Sequence, residues 1–478
     1  MINFLKPNNI KEKPLKITHG FILWGLLVFG YFLFVINWLF ASQLSGEPGN
    51  TGFGILKHFF PNADDAPGSI TNQAVNWVIT IGRAIGSVLI GWLIVKVSHK
   101  WAAVIALGLM VLSLPGPYLG NYWAFIVFRT FLGIGGTTLI VLIQPIISAF
   151  FPPRIKSSIS QFSPWFYPLG VIVVVAPFVG KVEILKEISD KWQTVFLIIN
   201  LLTLIPLIGF ILFGSRFDIY PSVIKKQEEQ ALNNPQTKVS ISTLLKQKET
   251  WFWAILYISW LIAVVIPYVG RNWIFSTIAQ GTTADEITEN VKELRKVYTP
   301  IISIFFLLFH AGMFLGSFTI GLWSRFRLKR RWFISTILFL GVLFYALSLV
   351  VFRYMVYPSN ELTPKTGNNT WLFYILGFLM GLCLWGIQGV MLNLPHEYKG
   401  SNPKQVGYKF GLIWGLGYAG WTIALIILSM FNQYVSSSAA IALLVIFSLI
   451  SVVAIFLLKE PNPEYDTFPN RNTQQIKK

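Results

Sequence analysis

Long apolar runs separated by short polar segments dominate this chain. Each run is long enough, at about 20 residues, to cross a hydrocarbon core of roughly 30 Å as an α-helix. The pattern predicts twelve spans, at 17–43, 70–97, 101–117, 122–150, 158–180, 191–214, 250–279, 298–323, 332–357, 370–395, 404–431 and 437–459.

A polar and charged segment divides these spans into two sets of six. It includes an Asn233-Asn234-Pro235 break and several Lys and Glu residues, which are typical of a linker. We therefore expect an all-α polytopic membrane protein of two six-helix bundles. The predicted units are the bundle 1–214, a cytoplasmic linker 215–249, the bundle 250–459 and a cytoplasmic tail 460–478.

Composition supports a membrane protein. Hydrophobic residues make up 54% of the 478 residues and charged residues 12%, about half the charged share of a soluble protein. The net charge of +18 lies mainly in alternate loops, which predicts a multi-pass protein of the cell membrane with both termini cytoplasmic. No nucleic-acid partner is needed to explain that charge. The single cysteine, Cys383, excludes an intrachain disulfide.

Three arginines fall well inside predicted spans, and the carboxylates lie in loops, tails or span ends. An arginine at bilayer depth costs about 3 kcal/mol or more unless it faces a protein interior, water or a counter-charge. Because no acidic side chain within the spans supplies that counter-charge, Arg83, Arg129 and Arg271 predict a cationic interior that receives a small anion.

The second span carries a polar stripe. Its members recur at steps of three or four residues, which places them on one helix face: Asn72, Asn76, Thr80, Arg83 and Ser87. Hydrogen bonding between helices is the alternative role for the amides and hydroxyls. Asn76, Thr80 and Arg83 are candidate substrate ligands.

The sequence leaves two possible roles for each of the other two arginines. Arg129 precedes a glycine-rich segment, so it either binds substrate or fixes its helix against backbone carbonyls. Arg271 follows Tyr268 in a stretch that Pro267 and Gly270 loosen, so it either binds substrate with Tyr268 or extends to the membrane surface.

His310 is the candidate for proton coupling. It lies near the middle of the eighth span and shares a helix face with Ser303 and Ser317, and histidine ordinarily titrates near neutrality. A buried, neutral histidine is the alternative. Gln388 is a further candidate ligand in the second bundle, and no residue spacing predicts a metal site or a cofactor.

Four local patterns can be compared with known families: Gly91 to Lys100, Arg129 to Gly136, Phe150 to Arg154 and Trp192 to Phe196. They resemble the major facilitator superfamily, and the likeness covers nearly the whole chain. The resemblance implies two pseudo-symmetric six-helix domains, a central cavity and alternating access. It also implies gating roles for Gly91, Lys96, Lys100 and, in a fainter second copy, Arg325. Val95 stands where the family has an aspartate.

Two subfamilies share shorter patterns. The segment from Tyr268 to Arg271 resembles organophosphate/phosphate antiporters, including hexose-phosphate carriers. Asn37 stands near the position of their helix 1 arginine, which makes Asn37 a candidate ligand. The segments 169–171, 176–177 and 253–258 resemble nitrate/nitrite porters.

The sequence thus predicts a secondary transporter that binds an anion, such as a hexose phosphate, phosphate or nitrate, between Arg83 and Arg271. We expect a monomer that exchanges substrates or is coupled to protons. The alternatives are a carrier of a neutral solute and a non-transporting receptor. An enzyme is not expected, because the suggestive acidic pairs Asp64-Asp65 and His396-Glu397 lie on opposite predicted sides.

Overall fold

Twelve helices account for the apolar runs in the part of the chain that a computed structural model describes. That part comprises residues 16–45, 54–62, 67–151, 159, 163–178, 187–214, 241–269, 287–324, 326–327, 329–356, 370–398 and 403–461. The helices are α1 (Ile17–Leu44), α2 (Ala74–Lys96), α3 (His99–Leu112), α4 (Tyr122–Phe150), α5 (Phe166–Val175), α6 (Trp192–Phe213), α7 (Lys248–Val269), α8 (Ile287–Ser324), α9 (Arg330–Val351), α10 (Thr370–Gly386), α11 (Pro403–Tyr434) and α12 (Ser437–Ala454).

Within these described segments, ten helices are long and apolar enough to cross a membrane, and α2 and α5 contain shorter apolar helices. Polar side chains cap several of their first turns. Ser98, Asn121 and Ser436 accept hydrogen bonds from the backbone N–H groups three residues on, at the starts of α3, α4 and α12. The prediction of an all-α polytopic membrane protein is confirmed.

Some helix bounds differ from the predicted spans. Within the run 158–180, the described segment 163–178 contains a ten-residue α-helix, α5, which one 3₁₀ turn precedes and a second 3₁₀ turn with Pro177 follows. The run 370–395 divides at Ile387 into α10 and a short helix, Gln388–Glu397. Hydropathy alone does not register such breaks, since the residues at them are apolar.

The two halves repeat one packing scheme. In the first half, α1 packs on α5 and α6, α2 on α4, and α3 on α4 and α6. In the second half, α7 packs on α11 and α12, α8 on α10, and α9 on α10 and α12. Adding six to each helix number of the first half gives the pairs of the second. The two six-helix bundles are therefore pseudo-symmetric.

The halves meet mainly through two helix pairs, α2 with α11 and α5 with α8. In the pseudo-symmetric arrangement, α2 corresponds to α8 and α11 corresponds to α5, so the two pairs are equivalent. Within the first pair, the hydroxyls of Thr80 and Thr422 are hydrogen-bonded to each other. Just before α2 begins, Asn432 donates to the hydroxyl of Ser69 at 3.0 Å, and the side-chain oxygen of Gln433 accepts from the backbone N–H of Ile70 at 3.2 Å. In the second pair, the ring of Trp165 contacts Phe318.

The segment after α12 is held against the start of α9. Glu460 is buried, and its two oxygens accept from the backbone N–H groups of Arg330 and Arg331, each at 3.0 Å. The Arg331 guanidinium lies 3.6 Å from the same carboxylate and donates to the carbonyl of Leu458. The predicted boundary between bundle and tail at 459/460 thus falls inside a docked segment.

Candidate functional site

Arg83 lies between the two halves, and aromatic rings surround its guanidinium. The side chain comes from α2 and is only 3% exposed. Its Cζ atom lies 5.5 Å from the ring centroid of Phe34, 5.3 Å from that of Trp38 and 4.2 Å from that of Tyr418. Phe34 and Trp38 belong to α1 and Tyr418 to α11, so both halves contribute to this site.

The rings do not fully compensate the buried charge. Each cation–π contact contributes about 0.5–2 kcal/mol. Removing a guanidinium from water costs several kcal/mol unless it gains a counter-charge and hydrogen bonds. No ion pair joins Arg83 to a carboxylate of the described residues, and its Nε has no hydrogen-bond partner there. Within the described residues, the charge of Arg83 is therefore left without a counter-charge.

A closed circuit of seven aromatic side chains continues from these rings; we call it the aromatic belt. Neighbouring ring centroids are 4.8 to 6.4 Å apart. The belt runs through Trp38, Tyr167, Trp385, Trp260, Tyr257, Tyr418 and Trp421, and then returns to Trp38. Its members come from α1, α5, α7, α10 and α11, so it crosses the interface between the halves.

Within the described part of the chain, some belt residues have buried polar groups without a hydrogen-bond partner. They include the indole N–H groups of Trp385 and Trp421, and the side-chain oxygen of Gln388, three residues after Trp385, is also unpaired there. By contrast, Trp38 donates to Asn76 at 3.2 Å and Trp260 to the carbonyl of Leu384 at 2.8 Å. Buried polar groups are normally satisfied, so unpaired ones in one region are consistent with a binding site.

Two predicted ligands on α2, Asn76 and Thr80, form hydrogen bonds to other protein groups. Asn76 accepts from the Trp38 indole and donates to the side-chain oxygen of Gln73 at 2.8 Å. Thr80 bonds to Thr422 of the other half and donates to the carbonyl of Trp77. Both polar side chains are thus engaged with protein groups. Their role as substrate ligands stays a prediction.

Arg129 is also buried, but its guanidinium is bound to oxygen atoms of two neighbouring helices. It donates to the carbonyl oxygens of Trp38 and Val75 at 3.3 and 3.4 Å, and to the side-chain oxygen of Asn37 at 3.5 Å. These bonds connect α4 with α1 and α2 and favour the structural alternative. Substrate binding by Arg129 and Asn37 stays a prediction.

His310 contacts residues of its own helix. Its Nδ1 lies 2.5 Å from the carbonyl oxygen of Phe306, and its ring packs edge-on against Phe309. The side chain is buried within the second half. These contacts neither join it to Arg83 nor supply a proton path, so proton coupling stays a prediction.

Other predicted residues lie wholly or partly outside the described set. Arg271 and Arg325 are not among the described residues, and of Tyr268, Gly91 and Lys96 only the helical backbone is described. The two-arginine clamp therefore stays a prediction. Lys100 is described: its ammonium nitrogen lies 5.6 Å from the ring centroid of Trp101 in the first turn of α3.

Sequence reasoning did not single out Tyr167, Trp260 and Trp421 as members of the site. Two spacings carried a signal. Tyr257 and Trp260 are three residues apart on α7, and Trp414, Tyr418 and Trp421 recur at steps of four and three on α11. Both patterns place rings on one helix face.

The fold and this central site define a membrane carrier of the major facilitator class. The structure resembles that of a D-xylose-proton symporter with a TM-score of 0.58 at 15% identity, covering 93% of this chain and 98% of that one. A proton:xylose symporter bound to 6-bromo-6-deoxy-D-glucose gives a TM-score of 0.56 at 17% identity, covering 95% and 96%. At these identities the likeness shows the fold.

Sequence relatives define the family. Residues 125–433 match the model of the Mycoplasma MFS transporter family. An uncharacterized protein of Mesomycoplasma hyopneumoniae (strain 232) is 51% identical over 97% of this chain and 96% of its own length. A major facilitator superfamily transporter of Mycoplasma pneumoniae is 26% identical over 86% of both chains. The chain belongs to the Mycoplasma MFS transporter family and is a transporter, not an enzyme.

Proposed function

We propose that this transporter carries a small organic anion, which binds at Arg83 between the two halves. The observation that carries the proposal is the guanidinium itself, which is buried among Phe34, Trp38 and Tyr418 without a carboxylate partner in the described residues. An anion at Arg83 would supply the missing counter-charge and accept hydrogen bonds in the planar geometry that a guanidinium offers.

Anion binding also fits alternating access. Closing the halves around an empty Arg83 buries an uncompensated charge, whereas closing them around a bound anion buries a neutral pair. The substrate therefore lowers the cost of the closed arrangement. This difference favours exchange of one anion for another, because the transporter closes more readily when loaded at both steps.

Thermal stabilisation tests the proposal directly, because a ligand that binds the folded state raises its apparent stability. The purified protein is screened against phosphate, sugar phosphates, nitrate, carboxylates and neutral sugars. We expect one class of anion to raise the Tm, and Arg83→Gln to abolish the rise. Arg353→Gln is the matched control, because Arg353 is exposed. A rise caused only by neutral solutes and unchanged in Arg83→Gln would refute anion binding.

A neutral sugar is the second candidate, and the aromatic belt favours it. The face of an aromatic ring offers an apolar surface against which the C–H groups on one face of a sugar ring can pack. The structurally similar symporters act on D-xylose, according to their names. Stabilisation by uncharged sugars with no competition from anions would support this candidate and would assign Arg83 to gating.

Accumulation in sealed vesicles separates a carrier from a receptor. Vesicles that contain the purified protein and are preloaded with the stabilising ligand should take up labelled ligand from outside. Binding without uptake would indicate a receptor.

A further inference from the structure

We infer that the turn between α8 and α9 binds the headgroup of an anionic phospholipid at the membrane surface. The segment 325–329 joins the two helices, and Phe326, Arg327 and Lys329 are its described residues. Exposed basic side chains, exposed aromatic rings beside them and a turn fixed from within carry the inference. It is independent of the substrate that binds at Arg83.

Two arginines at the start of α9 are engaged within the protein. The guanidinium of Arg330 donates to the carbonyl oxygen of Ser324 at 2.6 Å and to that of Arg327 at 3.2 Å. The guanidinium of Arg331 lies 3.6 Å from the carboxylate of Glu460, and both side chains are buried. These contacts tie the end of α8 to the start of α9 and hold the turn between them in place.

The side chains of Arg327 and Lys329 face outward. Both are exposed, and neither forms an ion pair with a carboxylate in the described segments. The Cζ atom of Arg327 lies 5.2 Å from the ring centroid of Trp323, near the end of α8. The turn therefore presents two positive charges to an external partner, beside an aromatic ring.

Exposed aromatic side chains border these charges. Phe326 is 81% exposed, and Trp323 and Trp332 are 44% and 45% exposed. The ring of Trp332, in the first turn of α9, packs edge-on against Phe456. Because the turn joins two candidate membrane spans, these rings lie at the level of the lipid headgroups, where tryptophan is enriched. Insertion of Phe326 into the membrane would remove its apolar surface from water.

An anionic phospholipid matches both the charges and the rings. Its phosphate can accept hydrogen bonds from Arg327 and Lys329, and its acyl chains can contact Phe326. Each Lys or Arg close to an anionic membrane surface strengthens the attraction by about fivefold. A zwitterionic lipid has no net charge to attract, and a free phosphate would leave Phe326 in water. The combination thus favours an anionic lipid over either of them.

A lipid titration tests the inference on the full chain. The purified transporter in detergent micelles receives phosphatidylglycerol, phosphatidylcholine or inorganic phosphate, while native mass spectrometry counts bound lipid and the Tm is recorded. We expect phosphatidylglycerol to bind at least about tenfold more tightly than phosphatidylcholine and to raise the Tm. Equal binding of the two lipids would overturn the inference. An equal rise in Tm with inorganic phosphate would assign the turn to a soluble anion instead.

A double variant tests the two charges. Arg327→Gln/Lys329→Gln should weaken binding of phosphatidylglycerol by about fivefold to twentyfold. Lys57→Gln/Arg353→Gln is the matched control, because it removes two exposed basic side chains at the opposite end of the helices. Unchanged binding in the first double variant, or an equal loss in the control, would show that this turn does not hold the lipid.

A single variant tests the apolar contact. Phe326→Ser keeps both charges and removes the exposed ring, so it should weaken binding of phosphatidylglycerol by about threefold. Since all the altered side chains are exposed, the variants should keep the Tm of the lipid-free protein. Full affinity in Phe326→Ser would overturn the role of the ring and reduce the site to its charges.

Discussion

Two buried arginines in one half of this transporter have opposite surroundings. Arg129 donates to three oxygen atoms of neighbouring helices, whereas the guanidinium of Arg83 faces aromatic rings. The Nε of each arginine lacks a hydrogen-bond partner among the described residues, but the guanidinium of Arg129 has three oxygen partners. At the residue scale, this difference in partners is the reason to propose a structural role for Arg129 and a binding role for Arg83.

Replacing Arg129 should therefore affect stability rather than binding. Arg129→Gln removes the hydrogen bonds that the guanidinium donates to the carbonyl oxygens of Trp38 and Val75, and a hydrogen bond from a charged donor contributes about 1.5–3 kcal/mol. We expect a lower Tm and an unchanged ligand-induced rise, measured beside Arg353→Gln. An unchanged Tm with loss of the ligand effect would assign Arg129 to the substrate.

The sequence singles out Arg83 as a candidate more readily than the rings that surround it. Few positions within a membrane span accommodate a guanidinium at a low free-energy cost. Arg83 was therefore recognisable as a candidate functional residue. Aromatic residues make up 16% of the chain, so a single ring carries little information. Contacts such as that of Trp38 with Trp421 depend on how the halves meet, which no local pattern encodes.

At the scale of helix pairs, α8 and α10 pack closely through glycines. A Cβ atom added at Gly381 would overlap the carbonyl oxygen of Phe309, and one at Gly316 would overlap that of Leu382. Small residues allow such close approach between membrane helices. The sequence showed these glycines but not which helix they face.

Enlarging this contact should separate the two helices. Gly381→Ala places a methyl group against backbone, which cannot move as a side chain can, so we expect a loss of about 1–3 kcal/mol, seen as a lower Tm. Gly389→Ala is the matched control, because nothing lies within 4 Å of a Cβ at that position. Equal Tm values for the two variants would show that the helices tolerate separation.

Glu460 connects the end of the chain to α9. Its carboxylate caps the first turn of that helix and faces Arg331. Glu460→Gln keeps the size of the side chain and removes its charge, so the Arg331 guanidinium loses its buried counter-charge. We expect a lower Tm than for Glu187→Gln, since Glu187 forms an exposed pair with Lys191. A Tm equal to that control would show that the cap, not the charge, holds the segment.

At the scale of the whole molecule, the repeated packing of the two halves explains why the fold was predictable. Twelve apolar runs and a polar division at 215–249 already implied two bundles of six. The contacts between the halves were not predictable, because they involve ordinary polar residues such as Ser69, Asn432 and Gln433. Nothing in their local sequence marks them as partners.

These contacts should influence how readily the halves separate. Gln433→Ala removes the acceptor of the Ile70 N–H, so we expect about two- to tenfold more of the separated arrangement. Spin labels on Gly120→Cys and Val435→Cys, in a Cys383→Ser background, report the distance between the halves. Met430→Ala is the control on the same helix, at an exposed position. An unchanged distance distribution in Gln433→Ala would show that other contacts hold this end closed.

The uncompensated charge of Arg83 has an electrical consequence. Under the proposed function, a bound monoanion would make the loaded site neutral, whereas the empty site is positive. The membrane potential therefore acts on the empty transporter, with about 2.3 kcal/mol per charge per 100 mV across the full field. A negative interior favours the empty, inward-facing form and retards its return, so net uptake should slow as the potential grows while exchange stays constant. The membrane potential thus slows net uptake but leaves exchange unchanged, and it favours efflux of the anion over its accumulation.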